Sequence, residues 1–404
     1  MRILVQKFGG TSLSTERARE HVIRHIEREL KQDYQLVIVV SAMGRNGDPY
    51  ATDTLLSLIG AQNSTLPARE RDLLLCCGEI ISAVTLCGLL RERQIPAVVL
   101  TGGQAGIITD GQYGNARILE IKPERIQHHL DQQSLVIVAG FQGRSDSGEL
   151  TTLGRGGSDT SATALGAALK AERVDIYTDV NGILTADPRI VENAKPLTNV
   201  SYAEICNMAR QGAKVIHPRA VEIAQAASLP LRVRSTFSED EGTLVTHLGP
   251  KTSGSAVNDR HVTGIAHVSG VTQISVTSKD NQSDLQLQVF QAMAIHRISV
   301  DFINVTPGAA VYTVFDDDAP KAVSVLQQSG FAPHTLSGCA KVSVIGGGMN
   351  GVPGIMARIV EALTEQDIQI LQSADSNSTI WVLVRQQDMA GALRALHSKF
   401  SLHL

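Results

Sequence analysis

Twice in this chain a short apolar run breaks into closely spaced glycines and re-emerges as a helical pattern, which constrains the fold more than any other feature. The first break is Lys7-Phe8-Gly9-Gly10-Thr11-Ser12, after Ile3 to Val5. The second is Gly154-Arg155-Gly156-Gly157-Ser158-Asp159, between the apolar run Leu135 to Phe141 and the small-residue helix expected from Ser161 to Lys170. Glycines at such turns let backbone N–H groups approach a ligand, and a helix start favours negative charge, so each break suits a phosphate or carboxylate. A single turn of this kind reads as a helix start capped by Ser158 and Asp159. Two in one chain favour a ligand. Arg155 adds a planar donor fork, and Asp159 adds an anion able to organise an ammonium or a metal–nucleotide.

Around the first break, Val22, Ile23, Ile26 and Leu30 recur at helical spacing within Glu16 to Lys31, and Leu36 to Val40 is a continuous apolar strand ending in Ser41-Ala42-Met43-Gly44. Strand, turn, helix and strand in that order give a right-handed βαβ unit with a parallel sheet, whose ligands lie beyond the strands' carboxyl ends. Lys7, Gly9, Gly10 and Ser41 therefore share one edge. Ala97 to Thr101, Val136 to Phe141 and Val174 to Val180 supply further strands, and Leu231 to Thr236 closes the sheet. A helix over Glu70 to Leu90 carries Glu79 among Leu74, Leu75, Ile80 and Ile81, where a carboxylate is costly unless paired with Arg71, another structural partner or a cationic ligand group. Asp179 before Asn181-Gly182 and Asp187 before Pro188 also fit ordinary turn chemistry. His217 reads as a packed helix-entry residue.

A length of 404 residues exceeds one ordinary core and implies two or three domains. The net charge of −4, with Lys and Arg scattered, excludes a nucleic-acid surface. Cys76, Cys77, Cys87, Cys206 and Cys339 lack CxxC spacing and read as reduced thiols, without a zinc site or disulfide framework. The start lacks an apolar signal core and no apolar run reaches membrane-spanning length, so a cytoplasmic location without a membrane partner is expected. Residues 249–260 are rich in Gly, Ser and Thr and read as a linker between 1–248 and a tail. Within the tail, Val289, Phe290, Ala292, Met293, Ile298 and Val300 align with Ile359, Val360, Ala362, Leu363, Ile368 and Ile370 at an offset of about 70 residues. Two copies of one strand–helix–strand–strand–helix module follow, at 261–335 and 336–404.

Six motifs in order carry a family resemblance: Lys7 to Ser12, Val40 to Gly44, Gly154 to Asp159, Tyr177 to Gly182, Thr185 to Arg189, and Gly212-Ala213-Lys214. Together they resemble aspartate kinase, and the tail resembles that family's paired ACT regulatory domains. Gln372 to Ser376 and Thr379 to Val384 are most similar to the diaminopimelate-sensitive aspartokinases of bacilli. The resemblance implies an α/β fold: an amino-acid-kinase-like αβα sandwich with a mainly parallel sheet, followed by two α+β, ferredoxin-like ACT modules. It implies transfer of the ATP γ-phosphoryl to the side-chain carboxylate of L-aspartate, the committed step toward diaminopimelate, lysine, threonine and methionine. Phosphoryl transfer asks for positioning and charge neutralisation more than covalent chemistry.

Carried over position by position, Lys7 would neutralise charge on the transferring group, with Phe8, Gly9, Gly10 and Ser41 beside the nucleotide and Asp159 orienting the lysine. Arg155 would clamp the α-carboxylate, Glu79 would take the α-ammonium, and Thr52 and Ser158 would add hydrogen bonds. Thr178, Asp179, Asp187, Arg189 and Lys214 would hold ATP, with Mg²⁺ arriving on the nucleotide. A zwitterion with two carboxylates requires one anion and one fork-shaped cation, and Glu79 with Arg155 supplies both. The resemblance also implies a homodimer joined through the ACT modules and an amino-acid effector (diaminopimelate, lysine or threonine) near Asn281, Asp284, Ser299, Asp301, Gln372, Ser373 and Asp375. Lys279 to Asp284 departs from the Asp-x-Pro-Gly turn common in relatives, which leaves the inhibitor's identity open. The rival readings are another amino-acid kinase, acting on glutamate, acetylglutamate or UMP, and a silent amino-acid sensor built on the tail.

Overall fold

Side chains alternate across a strand, and in β1 (Arg2–Phe8) that alternation separates the two faces of the main sheet. The computed structural model describes residues 2–60, 65–213, 215–247, 261–277, 284–349 and 351–404, so Lys214, Asn281 and the expected linker 249–260 lie outside the described residues. After β1 come a single turn α1 (Gly10–Leu13), α2 (Glu16–Leu30), β2 (Tyr34–Val40), α3 (Thr52–Ser57), α4 (Ala68–Glu92), β3 (Ala97–Leu100), β4 (Ile107–Thr109) and β5 (Ile118–Ile121). The chain continues through α5 (Glu124–Asp131), β6 (Leu135–Ala139), β7 (Gln142–Ser145), β8 (Leu150–Thr152), α6 (Gly157–Ala168) and β9 (Arg173–Thr178). β10 (Asn199–Ser201), α7 (Tyr202–Arg210), α8 (Pro218–Ala226), β11 (Leu231–Ser235) and β12 (Thr243–Thr246) complete this portion.

The main sheet runs β10-β12-β11-β9-β1-β2-β6-β3, parallel except where β12 meets β11. Leu4 and Phe8 of β1 pack with Val22, Ile23 and Ile26 of α2 and Ala83, Leu86 and Leu90 of α4. Val5 points the other way, toward Gly166 of α6, whose missing side chain lets the helix lie on Val174. Helices thus cover both faces, the αβα arrangement that parallel strands require. Arg173 reaches Asp175 at 2.9 Å and Glu29 at 3.2 Å, fastening β9 to α2. A second sheet, β5-β4-β7-β8, has no counterpart among the expected strands. The expected closing strand at Leu231 to Thr236 is interior instead, because β12 and β10 continue the sheet beyond it. Contrary to the expectation that no apolar run reaches membrane-spanning length, α4 is long and apolar enough to cross a membrane by length and composition alone. Here it serves as a core helix, with Leu75, Cys76, Ala83, Leu86 and Leu90 buried.

The described chain forms two compact units, and residues 185–195 and 210–213 cluster with the second rather than the first. The second unit adds β13 (Gly264–Thr277), α9 (Leu285–Ile295), β14 (Asp301–Thr306), β15 (Ala309–Phe315) and α10 (Ala319–Gln328). The same order then recurs as β16 (His334–Ile345), α11 (Ile355–Thr364), β17 (Gln372–Ser376), β18 (Thr379–Arg385) and α12 (Met389–Lys399). The repeat read from the sequence is therefore present, and Val289 and Ile359 occupy matching core positions, both fully buried. The two copies share one antiparallel sheet, β14-β15-β13-β16-β18-β17. Ile274 and Val276 of β13 enter the first module's core, whereas Ile265 at the other end of that strand enters the second's, beside Ala186 and Val191 from the 185–195 segment.

Candidate active site

Period-two alternation decides where Lys7 goes. With Phe8 committed to the α2 side, Lys7 follows Val5 toward α6, whose first turn carries Asp159. Lys7 Nζ lies 2.8 Å from Asp159 Oδ1, and the two side chains are only 13% and 11% exposed. α6 starts at Gly157 because Gly156 turns the chain with φ +68°, and a Cβ at Gly156 would stand 2.2 Å from the His217 Cβ. His217 caps α8, its Nδ1 accepting the Arg219 N–H at 3.4 Å, and donates its own N–H to Asp159 Oδ2 at 3.4 Å. Asp159 is thereby held from α8 on one oxygen and meets Lys7 with the other.

An open cleft of about 530 Å³ lies over this pair. It brings together Lys7, Ser41, Thr52, Glu79, Arg155, Ser158 and Asp159 from five separate stretches of sequence. Glu79 is 2% exposed. Its Oε1 accepts the Ala42 N–H at 3.1 Å, while Oε2 is buried without a hydrogen-bond partner among the described residues. Burial raises the Glu79 carboxyl to about 8, against the two backbone hydrogen bonds that lower it. Arg71 lines the same cleft, yet no pairing with Glu79 satisfies the acid. A buried acid with one oxygen open, a guanidinium and an ion-paired lysine in one cleft fit a small zwitterion beside a polyanion.

The residues expected at a nucleotide divide into groups. A Cβ on Gly9 would lie 3.6 Å from Lys7 Nζ and 3.7 Å from the Tyr177 carbonyl, so this backbone stands at the same rim. At Gly10 a Cβ would meet the Gly44 and Ala42 carbonyls at 2.5 and 2.6 Å, which excludes any other residue. The Phe8 ring is fully buried and stacks on Tyr177 at 4.6 Å between centroids, leaving only its main chain for a ligand. Thr178 ends β9 at the sheet's carboxyl edge and donates to Asp179 Oδ1 at 3.1 Å; Asp179 also pairs with Arg45. Asp187 and Arg189 pair with each other at 2.6 Å in the 185–195 segment of the second unit and are not among the cleft residues. The Arg189 fork holds the Asp187 carboxyl below its usual range.

In the tail, Asp301 pairs with the buried Lys341. Gln372 accepts from Gln273 Nε2 at 2.7 Å and donates to the Phe302 carbonyl at 2.6 Å, so it ties β17 to β13 and to the far edge strand β14. Asp284 precedes α9, and Ser299, Ser373 and Asp375 are exposed.

Asp53, Arg71, Asp72 and Phe141 also line the cleft without having been singled out for it. Asp72 had a signal: it precedes Glu79 by two helical turns, and both are buried on the same side of α4. Arg45 had none, because it lies in the irregular stretch after β2.

Residues 2–235 match the amino acid kinase family and residues 335–398 match an ACT domain. Aspartokinase 1 of Bacillus subtilis (strain 168) is 54% identical over 402 residues, covering 100% of both chains. The crystal structure of E. coli aspartokinase III in complex with aspartate and ADP (R-state) has a TM-score of 0.79 and 26% identity, covering 98% of this chain and 99% of that one. The same enzyme in complex with lysine and aspartate (T-state) gives a TM-score of 0.76 and 27% identity at 98% and 99% coverage. A kinase fold, a cleft that gathers Lys7, Ser41 and Gly154 to Asp159 from three of the six motifs, and a relative matched from end to end agree: the chain belongs to the amino acid kinase family and, within it, to the aspartokinases.

Proposed function

We infer that this protein transfers the γ-phosphoryl of ATP to the side-chain carboxylate of L-aspartate, releasing 4-phospho-L-aspartate and ADP. The observation that carries the reading is the shared cleft, where the Lys7–Asp159 pair, the open oxygen of Glu79 and Arg155 lie together. Arg155 takes the α-carboxylate in its fork, Glu79 takes the α-ammonium, and Thr52 and Ser158 complete the hydrogen bonds. This leaves the side-chain carboxylate directed at Lys7. That carboxylate is ionised at neutral pH, so no strong base is required. One of its oxygens bonds to the γ-phosphorus as the bond to the bridging oxygen breaks, and Lys7, held by Asp159, neutralises the transferring oxygens.

The Gly9 and Gly10 backbone, Ser41, Thr178 and Asp179 are assigned to the nucleotide. Binding of aspartate and ADP by the E. coli relative supports both assignments. Mg²⁺ would enter on the phosphates and would keep mostly phosphate and water oxygens as its ligands. When bound, it supplies further neutralisation of phosphate charge.

The ACT tail is read as a feedback sensor, assembled as a homodimer through that tail in the cytoplasm. The lysine complex of the E. coli relative supports an effector of the same amino-acid class, with Asp301, Gln372 and their neighbours as the candidate contacts. An effector that binds one tail arrangement better than another shifts the kinase population by that difference. The test is an ADP-release assay with aspartate, glutamate, acetylglutamate and UMP as acceptors, repeated with diaminopimelate, lysine and threonine added singly. Turnover with aspartate alone is expected. Turnover with another acceptor and none with aspartate would overturn the reading, and no turnover with any acceptor would leave an amino-acid sensor.

A further inference from the structure

The loop carrying Arg155 is fixed by two opposite charges that come from helices on either side of it. Asp72, fully buried on α4, accepts the Thr152 N–H at 2.7 Å and the Gly114 N–H at 2.9 Å on Oδ2, and the Thr152 hydroxyl at 2.9 Å on Oδ1. Arg219, in the first turn of α8, donates to the Leu153 carbonyl and to the Ala116 carbonyl, both at 3.1 Å. The two strands of backbone so gripped are also joined directly, through the Ala116 N–H to the Thr152 carbonyl at 2.8 Å. A carboxylate therefore holds the N–H groups and a guanidinium holds the carbonyls of one short ladder. Arg155 follows that ladder by two residues.

We propose that Asp72 and Arg219 are positioning residues for aspartate recognition: they clamp the ladder 114–116/152–153 so that the Arg155 fork meets the α-carboxylate in the correct orientation. The proposal rests on the assignment of Arg155 to that carboxylate. The three hydrogen bonds that Asp72 accepts and the two that Arg219 donates all go to the ladder, so what each group is seen to do is hold the protein's own backbone and the Thr152 hydroxyl. Gly114 and Thr152 of the ladder line the cleft with Arg155, whereas Gly9 and Gly10 are not among its lining residues, so loosening of the ladder is expected to act on the amino acid rather than on the nucleotide. A charged hydrogen bond to a buried amide is stronger than a neutral one, which is why replacing only the charge of Asp72 is informative.

The experiment uses the full-length protein with D72N, R219K and R155A, alone and with D72N and R219K each placed on R155A. D72N keeps the volume and the acceptor facing the two amides; R219K reaches one carbonyl at most. Each single change is expected to raise KM for aspartate by about tenfold or more, with KM for ATP moving by less than about twofold and the melting midpoint within a few degrees. On the R155A background neither change is expected to weaken aspartate further, because the residue through which they act is already gone. Equal shifts in both KM values, or full additivity with R155A, would reduce the clamp to a structural role. If R155A itself leaves KM for aspartate unchanged, the assignment of Arg155 fails; if R155A raises it and D72N and R219K do not, the clamp alone fails.

Discussion

The charge on Glu79 is expected to set how tightly aspartate binds near neutral pH. Burial lifts this carboxyl from 4.5 to about 8, and only its ionised form can accept a full charge-assisted hydrogen bond from an ammonium on Oε2. At pH 7 about one molecule in ten carries the charge, so binding at pH 7 is expected to be about tenfold weaker than well above pH 8, or about 1.4 kcal/mol. The sign follows from linkage. Without substrate the folded pKa lies above the unfolded value, so this group's contribution to stability falls as pH rises from about 4.5 to about 8. A bound ammonium draws the pKa back down, so aspartate binding near neutrality releases a proton and the ligand stabilises more as pH rises. Steady-state KM for aspartate at saturating ATP, between pH 6.5 and 9, measures this directly for the wild type and for E79Q. E79Q, which leaves the ammonium facing a neutral amide, is expected to raise KM by about a hundredfold, from about 3 kcal/mol for breaking a buried pair, and to flatten the profile. A flat wild-type profile, or an E79Q profile that keeps the slope, would refute the assignment.

Lys7→Ala is expected to lower kcat by about 10²–10³ with a smaller change in KM for aspartate, since the lysine's charge matters most as the phosphoryl group transfers; unchanged kcat would remove Lys7 from the reaction. Gly156→Ala places a side chain at φ +68° and 2.2 Å from His217, so thermal denaturation should show a loss of at least about 1–2 kcal/mol, together with a raised KM for aspartate; a stable variant with unchanged KM would mean the turn does not set the position of Arg155. Gln372→Ala removes the two hydrogen bonds that tie β17 to β13 and β14, at about 1–3 kcal/mol. Its effector inhibition curve should shift while kcat without effector stays constant, and an unmoved curve would place the effector elsewhere.

The parts of the fold legible in the sequence are those where local pattern and tertiary packing agree. Val22, Ile23 and Ile26 marked α2, continuous apolar runs marked β2 and β6, and His217-Pro218 marked the start of α8 where the structure has it. The tail's offset was legible because both copies bury equivalent positions, Met293 with Leu363 among them. Strands β4, β5, β7 and β8 were not, because three or four residues such as Gln142 to Ser145 carry too little periodicity and are stabilised by their neighbours. Nor does periodicity reveal that β13 serves two cores, or that Ala186 and Val191 pack with the tail, since both are matters of long-range packing.

The cleft divides in the same way. Residues at strand ends and glycine turns, Lys7, Ser41, Arg155, Ser158 and Asp159, were legible because ligand sites in parallel sheets form there. Glu79 was legible from the cost of an acid among apolar neighbours. Asp72 was marked only by its spacing from Glu79, and Arg219 was hidden, because their partners are mostly backbone groups 42 to 103 residues away in the chain, and a backbone amide leaves no trace in side-chain pattern.

The central claim is that a single cleft holds aspartate between Glu79 and Arg155 with its side chain turned to Lys7. A crystal structure of this protein with L-aspartate and ADP tests it most directly. The α-ammonium should lie within hydrogen-bond distance of Glu79 Oε2, the α-carboxylate in the Arg155 fork and the side-chain carboxylate toward Lys7 and the nucleotide. Aspartate bound outside this cleft, or held with its ammonium away from Glu79, would contradict it.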